Sequence, residues 1–163
     1  MHSVGRHLQI HAQNNADPDR DAFARSAYNR YYYACYLQVR EALVSMNFDV
    51  KQLSHKSIPD LLGASVVSYL KRERRRAEML GDSELVGLIN AAIPAISRLA
   101  SLLKEAYGLR VVADYRPEVP IEFDPSSRFS LTGIGITKAD LWASTTQTLL
   151  RTITRAWEQS YEC

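Results

Sequence analysis

Apolar residues recur at helical spacing over most of this chain. The longest run is Leu85, Leu88, Ile89, Ala92, Ile96, Leu99, Leu102, Leu103 and Ala106. It holds a 3.6-residue period for about six turns. Pro94 lies inside the run and predicts a kink rather than an end. Gly81-Asp82-Ser83-Glu84, just ahead of it, reads as a turn and an N-terminal cap.

A second long helix is expected from Asp17-Pro18 to about Met46. Asp17 is the cap and Pro18 the first helical residue, with Asp19 and Asp21 near the positive end of the dipole. Phe23, Ala27, Tyr31, Ala34, Leu37 and Val39 form its apolar face, and Arg20, Arg25, Arg40 and Glu41 supply solvent positions. Shorter helices are predicted over 3–14, from Val4, Leu8 and His11, and over 57–76. A last helix runs from Thr137 to about Tyr161, with Thr137 and Asp140 resembling a capping box. It would bury Leu141, Leu149, Leu150, Ile153 and Trp157.

Asn47 to Ser54 reads as a loop. Residues 116–136 carry Pro117, Pro120, Pro125, Gly133 and Gly135, an irregular excursion longer than most connections. No alternating segment is long enough to predict a sheet. The expectation is one domain over 1–163, an all-α bundle of four to five helices.

Composition adds little: 46% hydrophobic and 23% charged residues suit an ordinary soluble domain, and a formal charge of +2 does not argue for nucleic acid. Its distribution says more. Lys71-Arg72-Glu73-Arg74-Arg75-Arg76 has cations at five of six positions. Such a run is usually a solvated helix end, which would attract RNA or an acidic partner nonspecifically. It contains no aromatic residue to stack on bases. Cys35 and Cys163 form no disulfide framework or metal-ligand cluster, so a reducing compartment fits both. No leader-like stretch and no eighteen-residue uninterrupted apolar window occurs, so a cytoplasmic protein with no membrane contact is expected.

Two segments carry the candidate chemistry. In Arg30-Tyr31-Tyr32-Tyr33-Ala34-Cys35-Tyr36 successive residues point about 100° apart. Tyr28, Tyr32 and Tyr36 therefore share one stripe, and Ala27, Tyr31 and Cys35 another. Packing explains most of these rings, while one hydroxyl beside Arg30 could line a polar groove. In Leu109-Arg110-Val111-Val112-Ala113-Asp114-Tyr115, Arg110 and Asp114 are one turn apart among apolar neighbours, so the guanidinium is expected to need a partner. His55, beside Lys56, reads as a capping residue or a groove residue. Arg6 and His11 match an arginine–histidine spacing that chance readily supplies.

The stretch Arg30 to Tyr36 resembles the Arg-x-Tyr-Tyr-Ala-x-Phe/Tyr element of the HEPN family (higher eukaryotes and prokaryotes nucleotide-binding). Ser54-His55-Lys56-Ser57-Ile58 resembles its His-Lys-Gly-Val element, and Leu109 to Tyr115 its Leu-Arg-x-x-Ala-Asp-Tyr element, in the family's order. The resemblance implies an antiparallel helical bundle that dimerises and a place in a prokaryotic defence or toxin–antitoxin system. It implies a nucleotidyltransferase or other defence-system partner. It also implies RNA or nucleotide as ligand, with Arg110, Asp114 and Tyr115 at the catalytic position and Arg30, Tyr31, His55 and Lys56 binding. Active members are RNases that need no metal or cofactor. They use an arginine and a histidine separated by four to six residues. Here Tyr115 follows Arg110 after four intervening residues, where those members carry histidine. The alternative reading is a non-catalytic helical dimer that scaffolds or neutralises a partner protein.

Overall fold

The computed structural model describes residues 1–15 and 18–161. The proposed cap Asp17 and the terminal Cys163 lie outside the described residues. The helices are α1 (His2–Asn14), α2 (Arg20–Ser45), α3 (Ile58–Leu61), α4 (Val67–Leu80), α5 (Ser83–Tyr115), α6 (Ile136–Asp140) and α7 (Trp142–Tyr161). A π-helical turn, Leu62–Val66, joins α3 to α4. The chain is thus mostly helical, as its periodicity predicts.

The 116–136 segment differs from its expected irregularity. It forms a three-stranded antiparallel sheet of β1 (Ile121–Phe123), β2 (Phe129–Leu131) and β3 (Ile134–Gly135), ordered β1-β2-β3. Leu131 pairs with Ile134 across a two-residue turn in which Thr132 and Gly133 both have positive φ, 50° and 78°. Such a turn matches the right-handed twist of its flanking strands. In the longer β1–β2 connection Asp124 Oδ1 accepts from the Ser126 and Arg128 amides at 2.9 and 3.0 Å. The carboxylate does locally what strand pairing cannot.

The chain packs as two compact units, residues 1–37 with 105–144 and residues 38–104 with 145–163. In the first, Ala24, Ala27, Tyr28, Tyr31, Tyr32 and Cys35 of α2 are buried, as are Ala106, Leu109 and Ala113 of α5 and Ile121, Phe129 and Leu131 of the sheet. Both tyrosine stripes therefore pack as expected. In α1 the buried residues are Gly5 and Ala12, while Val4, placed on the apolar face from the sequence, is exposed. Leu37 and Leu141, also expected inside, are exposed. Thr137 lies within α6, whose cap is Gly135, so the expected capping box is absent.

In the second unit, Leu70, Leu85, Ile89, Ile96, Leu99, Leu103, Ile153 and Trp157 are among the core residues. Asn47, at φ 64°, ends α2, with the Phe48 amide donating back to the Leu43 carbonyl at 2.9 Å. Gly81, at φ 74°, ends α4 in the same manner, with the Asp82 amide donating to the Ala77 carbonyl. Asp82 Oδ1 then accepts from the Leu85 amide at 2.9 Å, which makes it the cap of α5.

Helix α5 continues through Pro94 to Tyr115. Its length and an apolar window of mean hydropathy 1.6 would suffice to cross a membrane. A third of that window is buried. The buried positions form one stripe, and Asn90, Pro94, Ser97, Arg98, Ser101 and Lys104 on other faces are exposed. The helix thus buries one stripe and leaves its other faces exposed.

Candidate functional site

Two helices of the first unit build the site. α5 places Arg110 and Asp114 one turn apart, and α2 places Asn29 and Tyr33 one turn apart opposite them. Arg110 Nε lies 2.8 Å from Asp114 Oδ2, with the two side chains 17% and 24% exposed. The Nε is buried without an aligned hydrogen bond, so this close approach is ionic contact rather than a directed bond. Asn29 Nδ2 lies 2.8 and 2.9 Å from the two Asp114 oxygens. The carboxylate is thus held from both helices.

The guanidinium carbon lies 6.0 Å from the Tyr33 ring centre and 5.3 Å from that of Tyr115, both within cation–π range. Burial works against the charge on Arg110. The Asp114 carboxylate, the neighbouring Tyr33 and Tyr115, and a hydrogen bond to the Tyr115 hydroxyl outweigh it and raise its pKa. Arg110 is therefore a permanently charged, largely desolvated cation in a polar–aromatic setting. A phosphate oxygen meeting it would find a donor that water only partly solvates.

Behind this group Tyr32 is buried, with its ring 5.9 Å from that of Tyr107 and 6.0 Å from that of Tyr36. Burial is the main cause that raises the Tyr32 pKa, reinforced by Tyr36 and opposed by Arg110. Tyr32 is thereby held neutral at physiological pH, and the three rings supply rigid packing.

The structure brings together Arg110, Asp114 and Tyr115, as the sequence suggests. It adds Asn29 and Tyr33, which sequence reasoning missed. Tyr31 is fully buried and its hydroxyl donates to Gln9 Oε1, so it belongs to the core rather than to a groove. Arg30 is half-buried and packs its Cβ near Gly5 of α1. His55 and Lys56 lie in the second unit, in the turn before α3, where the Ser57 hydroxyl donates to the Ser54 carbonyl. Arg6 is exposed, while the His11 ring packs 4.0 Å from Phe23, so the two are not assembled as a catalytic pair.

Arg20 and Arg25 also depart from their expected solvent roles. Arg20 Nε donates to the Ala12 carbonyl at 2.8 Å, and its guanidinium stacks 3.6 Å from the Phe123 ring centre. Arg25 donates to the carbonyls of Ala113, Arg116, Pro117 and Val119. It thereby ties down the C-terminus of α5 next to the site. Among the described residues no three histidine, cysteine or acidic side chains form a metal-binding group.

Compared with models of known protein families, with curated proteins and with solved structures, the chain matches none.

Proposed function

We propose that this chain is a HEPN-like component of a prokaryotic defence or toxin–antitoxin system. In this reading it is cytoplasmic and binds the phosphate of RNA or a nucleotide at Arg110. The observation that carries the reading is the restrained guanidinium, held by Asp114, whose carboxylate Asn29 holds in turn, and flanked by Tyr33 and Tyr115. A desolvated arginine held in one orientation can recognise phosphate with little ordering cost on binding. The aromatic edge supplies a surface for a base or ribose.

Any RNA cleavage here is that of a divergent metal-independent RNase. The ribose 2′-hydroxyl would attack the adjacent phosphate and give up its proton at the Tyr115 position as the P–O5′ bond breaks. This leaves a 2′,3′-cyclic phosphate and a 5′-oxygen that takes up a proton from water, while Arg110 would hold the developing negative charge. A phenol is a weak base near neutral pH, so turnover would be slow beside a histidine site. The missing histidine favours one further reading. The chain would then be a non-catalytic helical dimer that scaffolds or neutralises a partner, for which a nucleotidyltransferase or another defence-system protein is the candidate.

The experiment incubates purified protein with RNA and EDTA and measures both cleavage and binding, comparing wild type with Arg110→Ala. EDTA-resistant cleavage or phosphate-dependent binding that is lost in Arg110→Ala supports the RNA reading. Neither activity in the wild type, with partner capture intact in Arg110→Ala, supports the scaffold. A dimer by light scattering is expected under both readings, and a monomer would remove that part.

A further inference from the structure

The cationic run of α4 carries an aromatic partner that its sequence does not contain. Tyr69 lies one turn before Arg72, and its ring meets Trp157 at 4.2 Å and Tyr161 at 6.0 Å, the latter nearly parallel at 22°. Trp157 is buried and packs on Phe48. Tyr161 is the outer member of the group, 59% exposed. The Tyr69 hydroxyl lies 3.3 Å from that of Ser160, which fixes the ring between the two helices. The surface is anchored on the buried Trp157 and ends in a ring that is mostly exposed.

The charges beside it are arranged as well as abundant. Arg72 is 71% exposed and its guanidinium lies 5.1 Å from the Tyr69 ring centre. Glu73 is turned inward; one oxygen lies 3.1 Å from Arg72 Nε and the other 3.9 Å from an Arg76 nitrogen. A single carboxylate thus orients two arginines, leaving a net positive charge with both guanidinium groups in water. Lys71 and Arg75 are exposed on the adjoining stripe, while Arg74 turns to Asn90 and Glu78. Solvated arginines along a helix, next to an exposed ring on a packed aromatic base, match a stacked nucleobase and its flanking phosphates. An acidic peptide would use the charge and leave the ring idle.

We propose that the Tyr69–Trp157–Tyr161 cluster with Arg72 and Arg76 is a binding platform for single-stranded nucleic acid. A base stacks on Tyr161 and the backbone runs along the cationic face of α4. The platform shares no residue with the Arg110 site, so the two stand or fall separately.

The test is fluorescence anisotropy with short labelled single-stranded RNA and DNA and the matching duplex, over a series of salt concentrations. All proteins carry Arg110→Ala, so that nucleic acid held at the other site does not contribute. Single strands are expected to bind more tightly than duplex. Tyr161→Leu should weaken single-strand binding about ten-fold, whereas Tyr161→Trp should preserve it. Arg72→Gln with Arg76→Gln should flatten the logarithmic salt dependence by about 1.4, two single-strand phosphate contacts. Unequal RNA and DNA affinities would identify the source of the strand. No binding at low salt, equal affinity for duplex, or an unchanged affinity in Tyr161→Leu would overturn the proposal. Polyglutamate binding that depends on the arginines but not on Tyr161 would identify an acidic protein partner instead.

Discussion

Arg110 and Asp114 meet at 2.8 Å with neither side chain more than a quarter exposed, yet their closest atoms are not aligned as a hydrogen bond. Asp114 therefore has two opposing effects. It holds the guanidinium, and it competes with any anion that approaches. Asp114→Asn keeps the shape and removes the competing charge. It should tighten phosphate or nucleotide binding by about two- to five-fold while lowering stability by about 0.5–1 kcal/mol. Arg110→Ala should abolish that binding. Titration calorimetry with a nucleotide, beside urea unfolding of each variant, measures both quantities; weaker binding in Asp114→Asn would show that the carboxylate's holding effect dominates.

Long periodic runs made the helices legible, because α2, α5 and α7 each bury one face over many turns. The sheet was hidden for a physical reason. Its strands are two or three residues long, too short to show alternation, and its tight turn uses Thr132 at positive φ instead of the usual asparagine or aspartate. At the site, spacing within α5 paired Arg110 with Asp114. The partners on α2 were harder to find, since Asn29 and Tyr33 are four apart but stand inside a tyrosine run whose other members are core. Arg20 and Arg25 looked solvated because a sequence does not show which carbonyls a long side chain will reach. The platform on α4 was invisible for a similar reason: Tyr161 and Arg72 are distant in sequence.

Arg25 should matter more to stability than an arginine on a helix surface usually does. Its side chain is 12% exposed and donates to four carbonyls at and beyond the end of α5. Arg25→Ala leaves these acceptors without their cation and should cost about 2 kcal/mol. Arg25→Lys should recover only part of this, because one ammonium cannot reproduce the fork. Urea unfolding gives the loss, and hydrogen exchange should show faster opening of the amides of Glu118, Val119 and residues 121–123. Unchanged exchange there would mean that the loop is held by other contacts.

Alkaline pH should weaken the fold through its buried phenols. Tyr28 is fully buried and its hydroxyl donates to the Ile134 carbonyl at 2.6 Å. Burial raises its pKa, against the smaller opposing effect of a backbone hydrogen bond at Leu131. Burial likewise raises Tyr31 and Tyr32. In the unfolded chain a tyrosine ionises near pH 10, while the folded group stays neutral to higher pH. The contribution is therefore complete below about pH 10 and is lost as pH rises above it, by up to about 1.4 kcal/mol per pH unit for each such group. Tyr28→Phe should cost about 1 kcal/mol at neutral pH through its lost hydrogen bond, and should reduce the alkaline slope. Denaturant unfolding from pH 7 to 11 reads both effects, and an unaltered slope would assign the alkaline loss to other groups.

The close approach of α1 to α2 at Gly5 sets a last expectation. A Cβ built there would stand 3.0 Å from two Tyr31 ring carbons and 3.3 Å from the Arg30 Cβ. Alanine is normally better than glycine inside a helix by roughly 1 kcal/mol. Here the ring cannot easily yield, because Tyr31 is fully buried and its hydroxyl is tied to Gln9. Overpacking of this kind typically costs about 1–3 kcal/mol, enough to outweigh the helix preference. Gly5→Ala should therefore destabilise by about 1 kcal/mol, and the double variant Gly5→Ala with Tyr31→Leu should recover part of the clash relative to the sum of the two single changes. Additive losses in that cycle would mean that the two residues do not press on one another, and that α1 is positioned by its other contacts, among them the His2 ring 2.8 Å from the Asp140 carboxylate and the Ala12 carbonyl 2.8 Å from Arg20 Nε.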